Sequence, residues 1–395
     1  MKMHRPLLVF ATILTLGVGA TGAAGAAEPG VTDGEIHLGQ FAAYSGPASF
    51  FGIGQRDGAA IYFDEVNAAG GVNGRKLRFT TEDDECKLSK VVSVARRLTG
   101  AGVFAIFGGN CSNVVPAALP VVTEAKVPIL VPSASTARIT DPFSRYVFRT
   151  GVLSDGLQPR GLVDLALNVL KAKSVAILSQ SDEMGKGGSS FLHEFLGKAG
   201  VKAVAHEQYN VGDTDFTAQI TRLKERNPEV TFLYGLVKEP TIILRQAREL
   251  GFKTQWIGST GTSAPSLMMA AGDGAVGLIS TSITAVLPEG DAPPMAELRR
   301  KYEAKYGKKP GKPGPEDVLG YHAAVVFVEG LKRAGRDLTQ EKFVAALESI
   351  KQLETGFVPP QSFSAGNHEG TKRQHFVKVV APGKREILPH VVNFE

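Results

Sequence analysis

The stretch VFAIFGGNCSNVVPAALPVVTEAKVPILVPSAS, residues 103–135, reads as one βαβ unit. Apolar Val103–Phe107 and Val127–Val131 read as buried parallel strands, and Val114–Ala125 as the crossover helix between them. Each strand ends in small polar residues: Gly108-Gly109-Asn110-Cys111-Ser112-Asn113 after the first, Ser133-Ala134-Ser135 after the second. Ligands of open α/β sheets bind beyond the carboxyl ends of the strands. Here those ends offer hydroxyls and free backbone N–H groups and no charged side chain, which suits a carboxylate held without a salt bridge. Ser112 taken alone also reads as an ordinary N-cap for the helix at Val114.

Upstream, Glu35–Phe41 reads as a strand, Gly54–Ala69 as an amphipathic helix ended by Gly70-Gly71-Val72-Asn73-Gly74, Lys76–Glu82 as a strand and Ser89–Thr99 as a helix. The strict alternation argues a doubly wound parallel sheet. A second run of the same kind follows the extended segment Tyr146–Arg149. It reads as helix Leu157–Leu170, strand Ser174–Leu178, helix Gly188–Ala199, strand Val201–His206, helix Phe216–Glu225, strand Val230–Tyr234, helix Glu239–Leu250 and strand Gln255–Ile257. Two similar lobes with a cleft between them are expected. From Gly277 the pattern changes to a strand-like Leu278–Ala285, a helix Met295–Tyr306, an exposed loop KKPGKPGP at 308–315, helices Asp317–Ala334 and Gln340–Ile350, and a terminal β-ribbon from Phe376. This tail is too short for a third domain, so it is expected to cross back and complete both lobes.

At 395 residues the chain exceeds one compact core. Without Lys2 and Arg5, which precede a hydrophobic run, about 42 basic residues face 39 acidic ones, and that balance gives no electrostatic footprint for nucleic acid. Residues 1–27 read as a secretory signal peptide, with an apolar region from Leu7 to about Val18 and small residues at Ala24–Ala27, cleaved near Ala26–Glu28. The alternative, a transmembrane anchor, needs about 20 apolar residues. The exported chain is expected in the periplasm, not itself membrane-spanning. In that oxidising compartment its two cysteines, Cys86 and Cys111, are expected to form a disulfide, a pair of buried thiols being the alternative.

Enzyme signatures are weak. Gly17-x-Gly19-x-x-Gly22 spells a dinucleotide fingerprint inside the leader, no nucleophile elbow or P-loop occurs, and His193-Glu194, His206-Glu207 and His368-Glu369 each lack the second His of a zinc-protease helix. Eight scattered histidines make no metal cluster, and Trp256 reads as core. No cofactor, metal or catalytic residue is expected.

The chain resembles the type I periplasmic substrate-binding proteins of ABC importers, in the branched-chain amino acid branch. The matching segments run through the mature chain: YSGPASFFG at 44–52, DEVNAAGGVNGRKL at 64–77, DDECKLSKVVSVARRL at 83–98, GGNCSNVVPAALPV at 108–121, VPILVPSAS at 127–135, DFTAQITRLK at 215–224, LRQARELGFKTQWIG at 244–258 and GYHAAVVFVEGLKRAG at 320–335. The resemblance implies two doubly wound parallel-sheet lobes joined by a three-strand hinge, residues 28–150 with 281–356 and 151–280 with 357–395. It also implies a small carboxylate ligand in the cleft and an inner-membrane permease as partner. Carried over position by position, its ligand contacts fall on Ser112 with neighbouring Asn113, on Ser133, Ala134 and Ser135, on Phe51 from the first loop, and on Met184, Thr260 and Gly261 from the opposing lobe. The branched-chain binders pair an acidic residue with the ligand ammonium where this chain has Thr260. Either Glu316 or Asp317 takes that role, or the ligand has no ammonium. A solute receptor of an importer is therefore expected, for a hydrophobic amino acid or an amine-free acid, ahead of a ligand sensor of the same fold and an exported enzyme.

Overall fold

The computed structural model describes Met1 and residues 28–282 and 284–394. The rest of the leader read at residues 1–27 lies outside the described residues. The chain order is β1 (Glu35–Ala42), α1 (Ser49–Ala68), β2 (Lys76–Asp83), α2 (Leu88–Gly100), β3 (Ala105–Gly108), α3 (Val115–Glu124), β4 (Ile129–Val131) and β5 (Val147–Arg149). It continues with α4 (Gln158–Asp164), β6 (Val175–Gln180), α5 (Glu183–Lys198), β7 (Ala205–Tyr209), α6 (Thr217–Arg226), β8 (Val230–Tyr234), α7 (Lys238–Glu249), β9 (Gln255–Gly258), α8 (Pro265–Ala271) and β10 (Ile279–Ser282). Helices α9 (Pro293–Tyr306), α10 (Pro315–Ala334) and α11 (Gln340–Glu348) and strands β11 (Arg373–Ala381) and β12 (Lys384–Asn393) complete it.

Two sheets result. The first runs β2-β1-β3-β4-β5, all parallel; the second runs β7-β6-β8-β9-β10 in parallel and adds the antiparallel pair β11-β12 beside β10. Taken from their own first strands, both parallel parts have the order 2-1-3-4-5, so the two runs seen in the sequence are one topology used twice. In each, the chain reverses its direction of growth beside the first strand, at β1/β3 and at β6/β8, which is where an open sheet leaves a crevice.

Both faces of each sheet are covered, as the unbroken burial of β3, β6 and β8 requires. On the first sheet, Phe63, Phe107, Phe148, Phe327 and Phe343 fill one side, and Val94, Leu98, Ile106, Val115 and Val122 the other. On the second, Phe216, Leu233, Leu244 and Trp256 fill one side, and Leu162, Ile177, Leu192 and Phe232 the other. Helices α9 to α11 return to the first sheet and the β11-β12 ribbon to the second, so the tail does cross back.

The third crossing comes later than residue 357. Phe357 and Val358 pack with Val152, Met295 and Tyr302, and Phe363 packs with Phe148 and Leu347, all beside the first sheet. Other differences are local. Helix α1 begins at Ser49 rather than Gly54, because helical geometry lets Gly52 pass within reach of the Ala43 carbonyl, where a Cβ would stand 2.1 Å away. Strand β7 begins four residues after Val201, and α5 starts at Glu183 because the Asp182 carboxylate accepts the Gly185 N–H at 3.0 Å. Helix α8 has no counterpart in the sequence reading. No helix among the described residues is long and apolar enough to cross a membrane.

Candidate functional site

The two crevices face one another and share a cleft of about 610 Å3. Its walls are residues that follow strands: Ala48, Phe50 and Phe51 after β1, Asn110–Asn113 after β3, Ser133 and Ser135 after β4, then Asp182 and Met184 after β6, Leu236 and Val237 after β8, and Thr260 and Gly261 after β9. The start of α10 with its approach loop, Pro310–Asp317, and residues of α8 close the sides. The loop that composition marks as exposed thus forms a cleft wall.

The polar end centres on Ser112. Its Oγ accepts the Ser135 N–H at 3.0 Å and the Thr136 N–H at 3.3 Å, and lies 3.3 Å from Ser135 Oγ. Ser112 is therefore no N-cap: α3 starts without a side-chain cap. The amides of the second strand end, expected free, are spent on this hydroxyl. With both acceptances filled by N–H groups, the Ser112 hydroxyl proton is left to donate, either to Ser135 Oγ or to an acceptor in the cleft. Ser135 Oγ in turn donates to Asp155 Oδ2 at 3.4 Å, and Tyr234 Oη donates to Asp155 Oδ1 at 2.7 Å. Burial pushes the Asp155 carboxyl up to about 6, against the pull of the Tyr234 hydrogen bond and the Arg149 charge. The chain of hydroxyls from Ser112 to Tyr234 thus runs from the first sheet to the second.

Arg149, 1% exposed, holds the backbone under this chain. It donates to Ala134 O at 2.9 Å and Thr136 O at 2.7 Å and pairs with Glu369 at 3.2 Å, while Glu369 accepts the Ser154 N–H at 3.0 Å. Ala134 accordingly lies in the core, with its carbonyl on Arg149, and does not line the cleft. The Cys86–Cys111 disulfide, with Cα atoms 5.7 Å apart, ties the end of β2 to the Ser112 loop, as the cysteine pair suggested.

The remaining walls are mainly apolar. Phe50 and Phe51 lie ring against ring at 3.9 Å, and Met184, Leu236, Val237, Ala264, Pro265 and Met269 face them from the second sheet's side. Thr260 and Gly261 line the cleft, but the Thr260 N–H is taken by Gln158 Oε1 at 2.7 Å and its carbonyl by Ser263 Oγ at 2.7 Å.

Helices α1 and α10 bring a second polar group to the first-sheet wall. They meet backbone to backbone through glycines: a Cβ on Gly58 would stand 1.9 Å from Asp317 O, and one on Gly320 2.0 Å from Gln55 O. That approach sets Gln55, which bonds the Ser133 hydroxyl, beside Glu316. Burial lifts the Glu316 carboxyl to about 7, opposed by Gln55 and Lys312 and assisted by Asp317. Burial likewise raises Asp317, which pairs with Lys312 at 2.7 Å and accepts the Gly314 N–H at 2.8 Å. Phe51, Ser112, Asn113, Ser133, Ser135, Met184, Thr260, Gly261 and Glu316 thus line one cleft. Gln55, Asp155, Asp182, Tyr234 and Lys312 escaped the sequence reading, since nothing in their neighbours' pattern separates them from helix-face or loop polar residues. No group of three or more His, Cys, Asp or Glu among the described residues is placed to hold a metal.

A family model described as periplasmic binding protein matches residues 35–384. A leucine-, isoleucine-, valine-, threonine- and alanine-binding protein of Pseudomonas aeruginosa is 29% identical over 305 residues, covering 77% of this chain and 80% of its own. The Leu/Ile/Val/Thr-binding protein of Salmonella typhimurium is 30% identical over 247 residues, 62% of this chain and 67% of its own. Among solved structures, the isoleucine complex of the branched-chain amino acid transporter substrate-binding protein LivJ from Streptococcus pneumoniae aligns at a TM-score of 0.76 and 25% identity, covering 90% of this chain and 99% of that one. A fatty acid ABC transporter substrate-binding protein from Thermomonospora curvata shares the fold at a TM-score of 0.80 and 22% identity, covering 93% and 95%.

Proposed function

The chain belongs to the periplasmic binding protein family, and from that premise we propose that it is the exported solute receptor of an ABC-type uptake system. It captures a small carboxylate with a hydrophobic body, a branched-chain or other apolar amino acid being the first choice, and passes it without chemical change to a membrane permease. The observation that carries this reading is the cleft's division into a hydroxyl end at Ser112, Ser133 and Ser135 and an apolar wall at Phe51, Met184, Leu236 and Met269. A carboxylate accepts the free Ser112 proton at one end while its apolar body leaves water against the other. The site is split between two sheet halves, so ligand contact with both draws them together about the crossings near Thr150 and Ser280 and the one that follows Phe363. The periplasm is the compartment that the leader and the disulfide suit.

A second reading, an amine-free carboxylic acid, is favoured by the opposing wall, where Thr260 and Gly261 present no carboxylate. A thermal-shift screen of the exported protein against amino acids, aromatic acids and short-chain carboxylates tests the shared part, since a ligand that binds only the folded state raises the melting temperature. A rise with at least one hydrophobic carboxylate is expected; a flat response across all three classes contradicts the proposal.

A further inference from the structure

Three carboxylates line the cleft: Asp182, Glu316 and Asp317. Two are engaged. Asp182 Oδ1 accepts the Gly185 N–H at 3.0 Å and Oδ2 the Gln180 amide at 2.8 Å, so this group caps α5. Asp317 holds Lys312 and the Gly314 N–H on one oxygen at the start of α10. Its Oδ1 is buried without a partner, but the Lys312 charge sits on the same carboxylate; Glu316 has no such ion pair among the described residues, and its Oε2 is likewise shielded from solvent with no hydrogen-bond partner. Beside it, Gln55, 2% exposed, gives its amide N–H to Ser133 Oγ and leaves its own Oε1 buried without a donor. A buried acceptor left unpaired costs free energy; of these two side by side at a cleft wall, the proton that Glu316 carries below about pH 7 serves one, and once Glu316 is ionised both ask for a donor from outside the chain.

We propose that Glu316, flanked by Gln55 and Ser133, is the subsite for a cationic hydrogen-bond donor on the ligand, so that the ligand is an amino acid and not an amine-free acid. The assignment rests on the reading of the cleft given above and narrows it to one substrate class. The ligand then lies along the first-sheet wall, its carboxylate at Ser112 and Ser135 and its ammonium toward Ser133 and Glu316. The opposing Thr260 wall is left for the side chain. An ammonium carries three donors, which matches Glu316 Oε2, Gln55 Oε1 and one further acceptor such as Ser133 Oγ. An amine-free acid brings no donor to Glu316 Oε2 or Gln55 Oε1 and leaves the cleft to close over them without one, so the site rejects it as well as favouring the amine.

The charges acting on Glu316 are Asp317 and Lys312 on its own segment, and Asp182 is the other carboxylate that lines the cleft. In the empty cleft the Glu316 carboxyl holds its proton up to about pH 7. An arriving ammonium favours the ionised form, so binding below that pH expels a proton, and affinity climbs with pH until about 7 and then levels.

The test compares leucine with 4-methylpentanoate and phenylalanine with 3-phenylpropanoate by titration calorimetry on the wild type and on Glu316→Gln. At pH 8 the wild type is expected to prefer the amine-bearing member of at least one pair by about 30-fold or more, and Glu316→Gln to lose most of that preference while keeping its affinity for the amine-free acid. At pH 6, titrations in buffers of different ionisation enthalpy should show up to about one proton released per amino acid bound by the wild type and none by Glu316→Gln. The retained binding of the amine-free acid reports that the variant is folded. If the wild type binds the amine-free acid as tightly as its amino partner, the Glu316 assignment falls while the reading of the cleft stands. If neither member of either pair binds, the reading falls and takes the assignment with it.

Discussion

The Tyr234 hydroxyl at the end of β8 donates to Asp155 Oδ1 at 2.7 Å, although Asp155 lies on the strand-to-helix crossing that leaves the first sheet. Room for this contact comes from α5: Gly188 faces the Tyr234 ring, where a Cβ would stand 2.1 Å from the ring edge. A carboxyl with its usual value near 3.9 when unfolded and about 6 when folded keeps its proton longer in the folded state. Its stabilising contribution is therefore full below about pH 4 and is lost as pH rises to about 6, by at most roughly 3 kcal/mol. Asp155→Asn removes this titration, so urea unfolding at pH 4, 5 and 6 should show a shallower decline in stability than the wild type. Parallel declines would show that Asp155 is already ionised at pH 4.

Removing the disulfide should cost stability and little else. The bridge spans 25 positions, and a loop of that size contributes on the order of 3–4 kcal/mol through the unfolded chain. The double variant Cys86→Ser, Cys111→Ser should unfold at lower urea concentration, and the wild type denatured without reductant should show no titratable thiol. Two reactive thiols in that sample would remove the bridge from the account.

The glycine contacts between α1 and α10 predict a sharper effect. A methyl at Gly58 meets the Asp317 backbone carbonyl at 1.9 Å and one at Gly320 meets the Gln55 carbonyl at 2.0 Å, and neither neighbour can swing aside as a side chain would. Gly58→Ala and Gly320→Ala should each cost at least about 1–3 kcal/mol by forcing the helices apart. Gly187→Ala, with open space at its Cβ, is the control and should change little. Equal melting temperatures for all three would mean that the helices do not meet as described.

Much of this architecture was legible because its strands are short apolar runs punctuated by glycine. Val230–Tyr234 was placed to the residue, and β3, α3 and β4 within two residues at each end. The repeat of one topology also showed, since strand and helix alternate at the same spacing twice. What failed did so for physical reasons. Strand β7 is an edge strand with alternating exposure, so Ala205–Tyr209 has no continuous hydrophobic signal. Helix α8 is seven residues long, too short for periodicity to speak. Pro310–Pro315 has the composition of a solvent loop, yet residues of it line the cleft wall. Ser112 and Ser135 could be read from their place after strands, whereas Asp155, Tyr234 and Gln55 reach the site only through three-dimensional contact.

Closure should be visible in solution. With walls on both sheets and three chain crossings between them, a ligand that touches both sides favours the compact arrangement. X-ray scattering at saturating ligand should give a smaller radius of gyration than the free protein. Superimposable curves would mean that binding leaves the halves where they are.

The placement of the ligand carboxylate is tested most directly at Ser112. The hydroxyl that accepts Ser135 and Thr136 N–H groups has its proton left to give, and Ser112→Ala deletes that donor. Titration of the tightest-binding carboxylate into wild type and variant should show a loss of about 1–3 kcal/mol, the worth of a hydrogen bond to a charged group, with the variant still folded by circular dichroism. An affinity unchanged by Ser112→Ala would contradict the account, whichever carboxylate the cleft holds.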